Sequence, residues 1–228
     1  MRNVGGLGIL FLSVFSFYAF CAYPTVAPRD SADLASAAVS VGVAHPPGYP
    51  LYALLGKAWL TVMPWGDPGY RLNLMSAAAG AGAVSAVFIL LVRSCGFWPG
   101  LGAALALAFS VPLGKFSLLC EMYSLHALLL ALLLLLAPGP AWEEKAWERR
   151  ASLSALLFGL ALVNHQAFIL AGPALAALWW GELSVPAGRR LLVKVCLPLF
   201  LVGLGLYAFL GVRTGSWRQA WDVITRRE

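Results

Sequence analysis

The sequence predicts an all-α membrane protein, a bundle of helices that crosses a lipid bilayer several times. Of the 228 residues, 61% are hydrophobic and 11% are charged, and the mean hydropathy is +0.80. Soluble domains carry about 25% charged residues. The formal charge of +6 is scattered between apolar segments instead of being gathered on one polar face. This pattern excludes a nucleic-acid-binding protein and favours contact with anionic headgroups or phosphate.

The apolar stretches predict about seven membrane segments, because each crossing of a bilayer needs about 20 apolar residues. They lie at 4–22, 72–92, 99–114, 119–137, 152–164, 167–181 and 191–212. The first is interpreted as a retained span, and the alternative is a cleaved signal peptide. Residues 48–63 are apolar but contain Lys57 and begin among prolines, which favours an interfacial or re-entrant helix.

Basic residues in the short loops predict the orientation of the chain. Arg2, Arg93 and the charged loop at 143–150 alternate with connections that carry little or no positive charge. The N-terminus is therefore expected in the cytoplasm and the 23–71 loop on the outer or lumenal side. The whole chain, 1–228, is assigned to one membrane domain: a first span at 4–22, an outer loop with interfacial helices at 23–71, the remaining spans at 72–212 and an outer tail at 213–228. The tail has no evident folded element, which predicts a shortened protein.

The cysteines predict neither a metal site nor a bound cofactor. They form no Cys-x-x-Cys pair and have no histidine at ligand spacing. Their positions within or beside apolar segments favour ordinary buried thiols. They are Cys21, Cys95, Cys120 and Cys196.

Two carboxylates and a histidine follow the first apolar segment. Beside a bilayer, ionisable groups cost free energy unless they are solvated or paired, so those that occur there often have a function. Asp30 and Asp33 are three residues apart, so they fit either a helix cap or a fixed general base. His45 and Tyr49 flank a Pro-Pro-Gly turn, which is either a structural bend or a rigid loop that holds both side chains in place.

Further polar residues interrupt the apolar pattern. With the predicted orientation, they lie at the outer ends of later segments. Arg71 fits a snorkelling anchor or a bidentate phosphate ligand. Glu121 either favours the start of a helix or meets the Asp30 and His45 loop, and Tyr123 and His126 share one helix face. A tight turn is the simplest structure for residues 164–166.

These motifs, in this order, resemble the TMEM-type protein O-mannosyltransferases and their bacterial relatives, long catalogued only as a domain of unknown function. Asp30-Ser31-Ala32-Asp33 is similar to the family's Asp-Ser-Gly-Glu, and His45-Pro46-Pro47-Gly48-Tyr49-Pro50 is a highly specific match. Further blocks at 71–77, 121–127 and 159–165 extend the resemblance over about residues 28–166. Ala32, Asp33 and His126 depart from the family pattern, and members of the family continue well past residue 228.

The resemblance implies a GT-C-type glycosyltransferase that moves a mannose-like sugar from a polyprenyl-phosphate carrier to an acceptor hydroxyl at the outer or lumenal face. It implies inversion without a metal, and it assigns the catalytic base to Asp30, or to Asp33 if the loop turns the other way. The prenyl chain would occupy a groove between membrane segments. Substrate or phosphate contacts are expected from His45, Tyr49, Lys57, Arg71, Asn73, Glu121, Tyr123, His126, Asn164 and His165.

The expected partners are membrane lipid, the polyprenyl-phosphate sugar and a protein or glycan acceptor. Two alternatives belong to other classes of function. A transporter or flippase would place polar residues through the middle of its spans. A noncatalytic fragment would bind the lipid carrier without transferring sugar.

Overall fold

A computed structural model describes residues 4–28, 30–138 and 147–225, and these residues form helices and connections without a strand. The all-α prediction is therefore confirmed. Most of the predicted charged loop at 143–150 lies outside the described residues, and only its last four residues are seen, as the start of a helix.

Fourteen α-helices follow one another along the described residues. Those of the first half are α1 (Val4–Cys21), α2 (Asp30–Ser40), α3 (Pro50–Val62), α4 (Pro68–Cys95), α5 (Phe97–Ala108), α6 (Val111–Ser117) and α7 (Met122–Leu136). Those of the second half are α8 (Trp147–Asn164), α9 (Gly172–Leu178), α10 (Trp180–Ser184), α11 (Pro186–Leu191), α12 (Leu197–Leu204), α13 (Ala208–Thr214) and α14 (Trp217–Thr225). Short 3₁₀ and π stretches join α8 to α9 and α11 to α13.

The central element is α4, which packs against α1, α5, α6 and α7. It begins where the Asp67 side chain accepts a hydrogen bond from the Tyr70 backbone N–H at 2.9 Å, with Pro68 in the first turn. Its middle is rich in Ala, Gly and Ser, and small residues allow helices to approach closely. At one such point α4 meets Tyr18 of α1, whose hydroxyl donates to the Ala108 carbonyl at 2.6 Å.

The prediction of about seven membrane segments is not supported. Among the described residues, two helices are long and apolar enough to cross a membrane, Pro68–Cys95 and the continuous helix Pro186–Thr214. A third crossing results if α5 and α6, bent by 61° at their junction, count as one span. Two of the other predicted segments differ from a membrane span for physical reasons. Helix α7 has 15 residues and a length of only about 22 Å, and α8 carries Glu148, Arg149 and Arg150 in its first turn.

Glycines set the crossing of α8 with α12. A Cβ atom on Gly203 of α12 would lie 2.7 Å from the Leu156 carbonyl oxygen and 2.8 Å from the Leu160 backbone nitrogen. A Cβ on Gly159 of α8 would meet the Phe200 carbonyl in the same way. The two backbones therefore touch, as they do at small-residue crossings in membranes.

The first connection of the bundle is a folded unit in which α2 packs on α3, and both pack on α4. Its core contains Leu34, Ala38, Tyr52 and Leu72. The segment predicted at 48–63 to be interfacial or re-entrant forms α3, a helix of 13 residues with an exposed Lys57. The prediction of cysteines buried throughout is wrong for Cys21 and Cys95, which are exposed because they lie at helix ends.

The predicted unstructured tail is also wrong over its described residues, since Trp217–Thr225 forms α14. This helix packs on α13 and reaches back to the first connection. A Cβ built on Gly48 would lie 3.2 Å from a methyl group of Val223, and the Ile224 carbonyl accepts a hydrogen bond from Gln166 at 2.6 Å. The tail thereby covers the end of the bundle at which the polar residues collect.

Candidate active site

The centre of the candidate site is a bonded pair, Asp33 and His45. The Asp33 Oδ2 atom accepts a hydrogen bond from the His45 backbone N–H at 2.6 Å and lies 2.8 Å from the His45 Nδ1 atom. Both side chains remain partly open to solvent. Asp33 therefore fixes the start of the Pro-Pro-Gly turn and the orientation of the imidazole at the same time. A carboxylate that accepts from a histidine N–H also selects its tautomer.

The turn after His45 requires its glycine. Gly48 has a φ of 91°, and its backbone N–H donates to the His45 carbonyl at 2.8 Å. Side chains other than glycine rarely adopt this φ, and a Cβ here would also lie 2.8 Å from a methyl group of Leu210, so glycine is strongly favoured at this turn. Tyr49 follows in the left-handed region at a φ of 44° and begins α3. The predicted rigid loop thus brings the Tyr49 ring to 5.0 Å from the His45 ring, measured between centroids.

The three histidines of the chain gather in one cluster with two tyrosines. Between ring centroids, His165 lies 6.1 Å from Tyr49, 5.9 Å from Tyr123 and 5.7 Å from His126. The predicted turn at 164–166 explains this convergence, because α8 ends at Asn164 and His165 is extended before the next 3₁₀ turn. Residues from three separate parts of the sequence, 45–49, 123–126 and 165, meet at this end of the bundle.

Asp30 and Glu121 complete the acidic part of the site. Asp30 is exposed in the first turn of α2, and no described residue forms a hydrogen bond with its carboxylate. Glu121 lies in the connection before α7 and is buried, with 6% of its surface exposed. Burial and the nearby Asp30 charge raise the pKa of Glu121 to about 7, while His45 and Lys115 act in the opposite direction.

The Glu121 backbone is fixed by Ser76 of α4, whose Oγ donates to the Glu121 carbonyl at 3.3 Å and lies 3.4 Å from the Glu121 backbone nitrogen. Glu121 lines a largely apolar cavity of about 530 Å³ between α3, α4 and α7. Its polar lining residues Tyr52, Ser76 and Glu121 lie near the start of α7, and Leu125 and Leu128 continue it along that helix. We refer to it as the α3–α4–α7 cavity.

Four other predicted contact residues bond to backbone carbonyls. The Arg71 guanidinium donates to the Leu60 carbonyl near the end of α3. The Asn73 amide bonds the carbonyls of Tyr23 and Thr25 at 2.8 and 2.9 Å, and Asn164 bonds that of Met122 at 3.3 Å. Lys57 Nζ lies 2.9 Å from the Val39 carbonyl. These bonds brace the connections around the site, and a role of the four residues in substrate binding stays a prediction.

Sequence reasoning missed Ser76 and Tyr52 as parts of this site. Ser76 lies in a run of small residues and Tyr52 in an apolar helix, so neither stands out from its surroundings. Tyr52 donates to the Cys120 Sγ atom at 3.2 Å. Among the described residues, no group of three or more His, Cys, Asp or Glu side chains is arranged to hold a metal ion.

A family model, described as the protein O-mannosyl-transferase TMEM260 N-terminal domain, matches residues 30–182. The chain belongs to this family. The match begins at Asp30 and extends beyond His165. It therefore contains Asp30 and Asp33, the Pro-Pro-Gly turn and the histidine cluster. Residues 30–182 thus correspond to the N-terminal domain of this family.

Two curated relatives have the same name as the family model. The chain is 32% identical over 218 residues to protein O-mannosyl-transferase TMEM260 of Mus musculus, an alignment that covers 93% of this chain and 31% of the mouse protein. It is 28% identical over 178 residues to the Dictyostelium discoideum protein of that name, with coverage of 71% and 22%. The chain therefore spans about a third or less of the length of these relatives. No solved structure matches it.

Proposed function

We propose that this chain transfers mannose from a polyprenyl-phosphate carrier to an acceptor hydroxyl, at the outer or lumenal face of the membrane in which it resides. The relatives named above are protein O-mannosyl-transferases, which supports mannosyl transfer to protein as the reaction class. One observation carries the proposal: exposed and buried acids, a fixed histidine and an apolar cavity lie together at one end of the bundle. A lipid-linked donor needs polar and apolar surfaces side by side.

Asp30 is the proposed base. Its carboxylate is exposed and unbonded among the described residues, whereas Asp33 Oδ2 is occupied by His45. Asp30 takes the proton of the acceptor hydroxyl as the acceptor oxygen bonds to the anomeric carbon. The bond from that carbon to the phosphate oxygen breaks, and the electron pair leaves with the polyprenyl phosphate. Attack from the opposite face inverts the anomeric carbon, and Asp33 acts as a positioning residue.

The leaving phosphate carries negative charge that a cationic or N–H group can stabilise. We assign this role to His45 and Lys115. Both are near enough to the carboxyl group of Glu121 to lower its pKa electrostatically. The Arg71 guanidinium is less suited, because it is buried against the Leu60 carbonyl. The α3–α4–α7 cavity accepts the first isoprene units of the carrier, with the phosphate at the end lined by Glu121.

The decisive test is transfer by the full chain in lipid nanodiscs. Synthetic polyprenyl-phosphate mannose is supplied with a peptide rich in Ser and Thr, and mass spectrometry measures the mannosylated peptide. We expect product from this donor and none from GDP-mannose, which lacks the apolar chain. Polyprenyl-phosphate glucose serves as the matched donor control for the choice of sugar. Tight binding of the carrier lipid without any product would favour the noncatalytic alternative instead.

Two exposed cysteines provide a test of orientation. Cys21 ends α1 at the site end of the bundle, and Cys95 ends α4, whose length separates its two ends by about 40 Å. In intact cells a membrane-impermeant maleimide is expected to label Cys21 and to spare Cys95 until the membrane is opened. Single-cysteine variants, with the other three cysteines replaced by serine, assign each label. Labelling of Cys95 alone from outside would reverse the proposed topology.

A further inference from the structure

Glu121 combines burial with an unsatisfied carboxyl group. Its Oε2 atom is fully buried and has no hydrogen-bond partner among the described residues. A buried polar atom without a partner costs about 1–3 kcal/mol, and more when it is charged. Glu121 is also one of the residues that line the α3–α4–α7 cavity. A buried carboxyl oxygen without a hydrogen-bond partner therefore belongs to a residue at the wall of the cavity proposed for the donor.

Burial disfavours the ionised form of Glu121 more than any neighbouring charge does. Among the described residues, Asp30 of α2 also opposes a negative charge on Glu121, and His45 and Lys115 support one. Burial raises the pKa of the Cys120 thiol to about 12 and that of the Tyr52 hydroxyl well above its ordinary value, so both neighbours are neutral at neutral pH. Within the part of the chain that the structure describes, the titratable and charged groups that act on Glu121 are thus Asp30, His45, Tyr52, Lys115 and Cys120.

We infer that Glu121 acts as a neutral carboxylic acid that donates a hydrogen bond to the phosphate of the lipid-linked sugar. The inference rests on the proposed function, since it names the group that meets the donor phosphate. A phosphodiester is an anion that only accepts hydrogen bonds, so a protonated Glu121 binds it and an ionised Glu121 repels it. The unsatisfied Oε2 atom then gains a partner when the donor enters the cavity.

The consequence is that donor binding weakens at alkaline pH because a group on the protein loses its proton. The phosphodiester of the donor keeps its single charge across neutral pH, so any change in affinity reports the protein alone. With a pKa of about 7 at Glu121, the fraction of protein in the binding form falls as the pH rises. We expect the Kd to rise about 30-fold between about pH 6 and about pH 8.5, because the apparent Kd scales inversely with that fraction.

The test measures binding of a short-chain polyprenyl-phosphate mannose to the full chain in nanodiscs across this pH range. The variant Glu121→Gln keeps the shape and an N–H donor but cannot ionise, so its Kd is expected to stay within about threefold over the range. Glu121→Ala, which has no donor, is expected to bind weakly at every pH. Glu148→Gln is the matched control, because Glu148 is exposed at the start of α8, and it should keep the wild-type profile.

The outcomes separate this inference from the proposed function. Binding by the wild type that does not change with pH, or that tightens as the pH rises, would overturn the role of a neutral Glu121 and leave the donor site intact. A wild-type pH profile in the Glu121→Gln variant would also overturn it. A complete absence of binding at every pH would overturn both the inference and the proposed lipid-linked donor.

Discussion

Replacement of Asp30 by Asn is expected to lower kcat for mannosyl transfer by about 10²–10⁴-fold, the usual contribution of a general base. The amide keeps the size of the side chain but cannot take the proton of the acceptor hydroxyl. The KM for the donor should change little, because Asp30 acts on the acceptor. The measurement is single-turnover transfer by the full chain in nanodiscs with saturating polyprenyl-phosphate mannose.

Asp33→Asn is the matched control for this loss, because it is the same substitution one helical turn away. Its amide oxygen can still accept from the His45 backbone N–H, so the Pro-Pro-Gly turn should keep its position. We expect transfer to fall by less than about tenfold, since only an orienting charge is lost. Full activity of Asp30→Asn together with an inactive Asp33→Asn would assign the base to Asp33. Undiminished transfer by both variants would exclude either carboxylate as the base.

The candidate site could be predicted in large part because charge is scarce in this chain. Asp33, His45 and His165 stand out in apolar surroundings, and each lies at the cluster that the structure assembles. The residues with which they form contacts could not be predicted from their spacing in the sequence. The bond between Asp33 and His45 joins residues twelve positions apart across the end of α2, where Val41 takes a left-handed conformation, as Tyr49 does before α3. Such backbone angles are rare outside glycine and have no evident signal in the sequence.

The number of spans could not be predicted because apolar composition does not report helix length. The predicted segment at 119–137 begins as an irregular connection, and its helix starts only at Met122. The segment at 99–114 is broken between Ala108, where α5 ends, and Val111, where α6 begins at an angle of 61° to it. In both cases the sequence contains a polar residue at the break. The angle between the helices on either side of it depends on which neighbouring helix each one packs against.

The fold of the tail was missed for a different reason. Trp217–Thr225 is short and contains three charged or amide side chains, so its composition favours a solvated segment. Tertiary contacts hold α14 in place: Ala220 is buried, and the Ile224 carbonyl accepts a hydrogen bond from Gln166. A short helix gains most of its stability from such packing. Contacts of this kind come from distant parts of the chain and leave no local pattern.

The largest expected effect on the fold comes from Gly203→Ile, at the crossing of α8 and α12. The new side chain would have to occupy space filled by the Leu156 carbonyl and the Leu160 backbone nitrogen. Backbone cannot move aside as a flexible side chain can, so the two helices must separate. We expect a loss on the order of 3 kcal/mol, at the upper end of the cost of overpacking. Size-exclusion chromatography after a temperature series in detergent measures the folded fraction.

Gly205→Ile provides the control within the same continuous helix, Pro186–Thr214. A Cβ on Gly205 would meet no atom within 4 Å, so an isoleucine there has space and adds the same apolar bulk. Its folded fraction should match that of the wild type. The crossing also positions the site, because α8 ends at Asn164 immediately before His165. If Gly203→Ile were as stable and as active as Gly205→Ile, the close contact of α8 with α12 would not be what holds the second half of the bundle together.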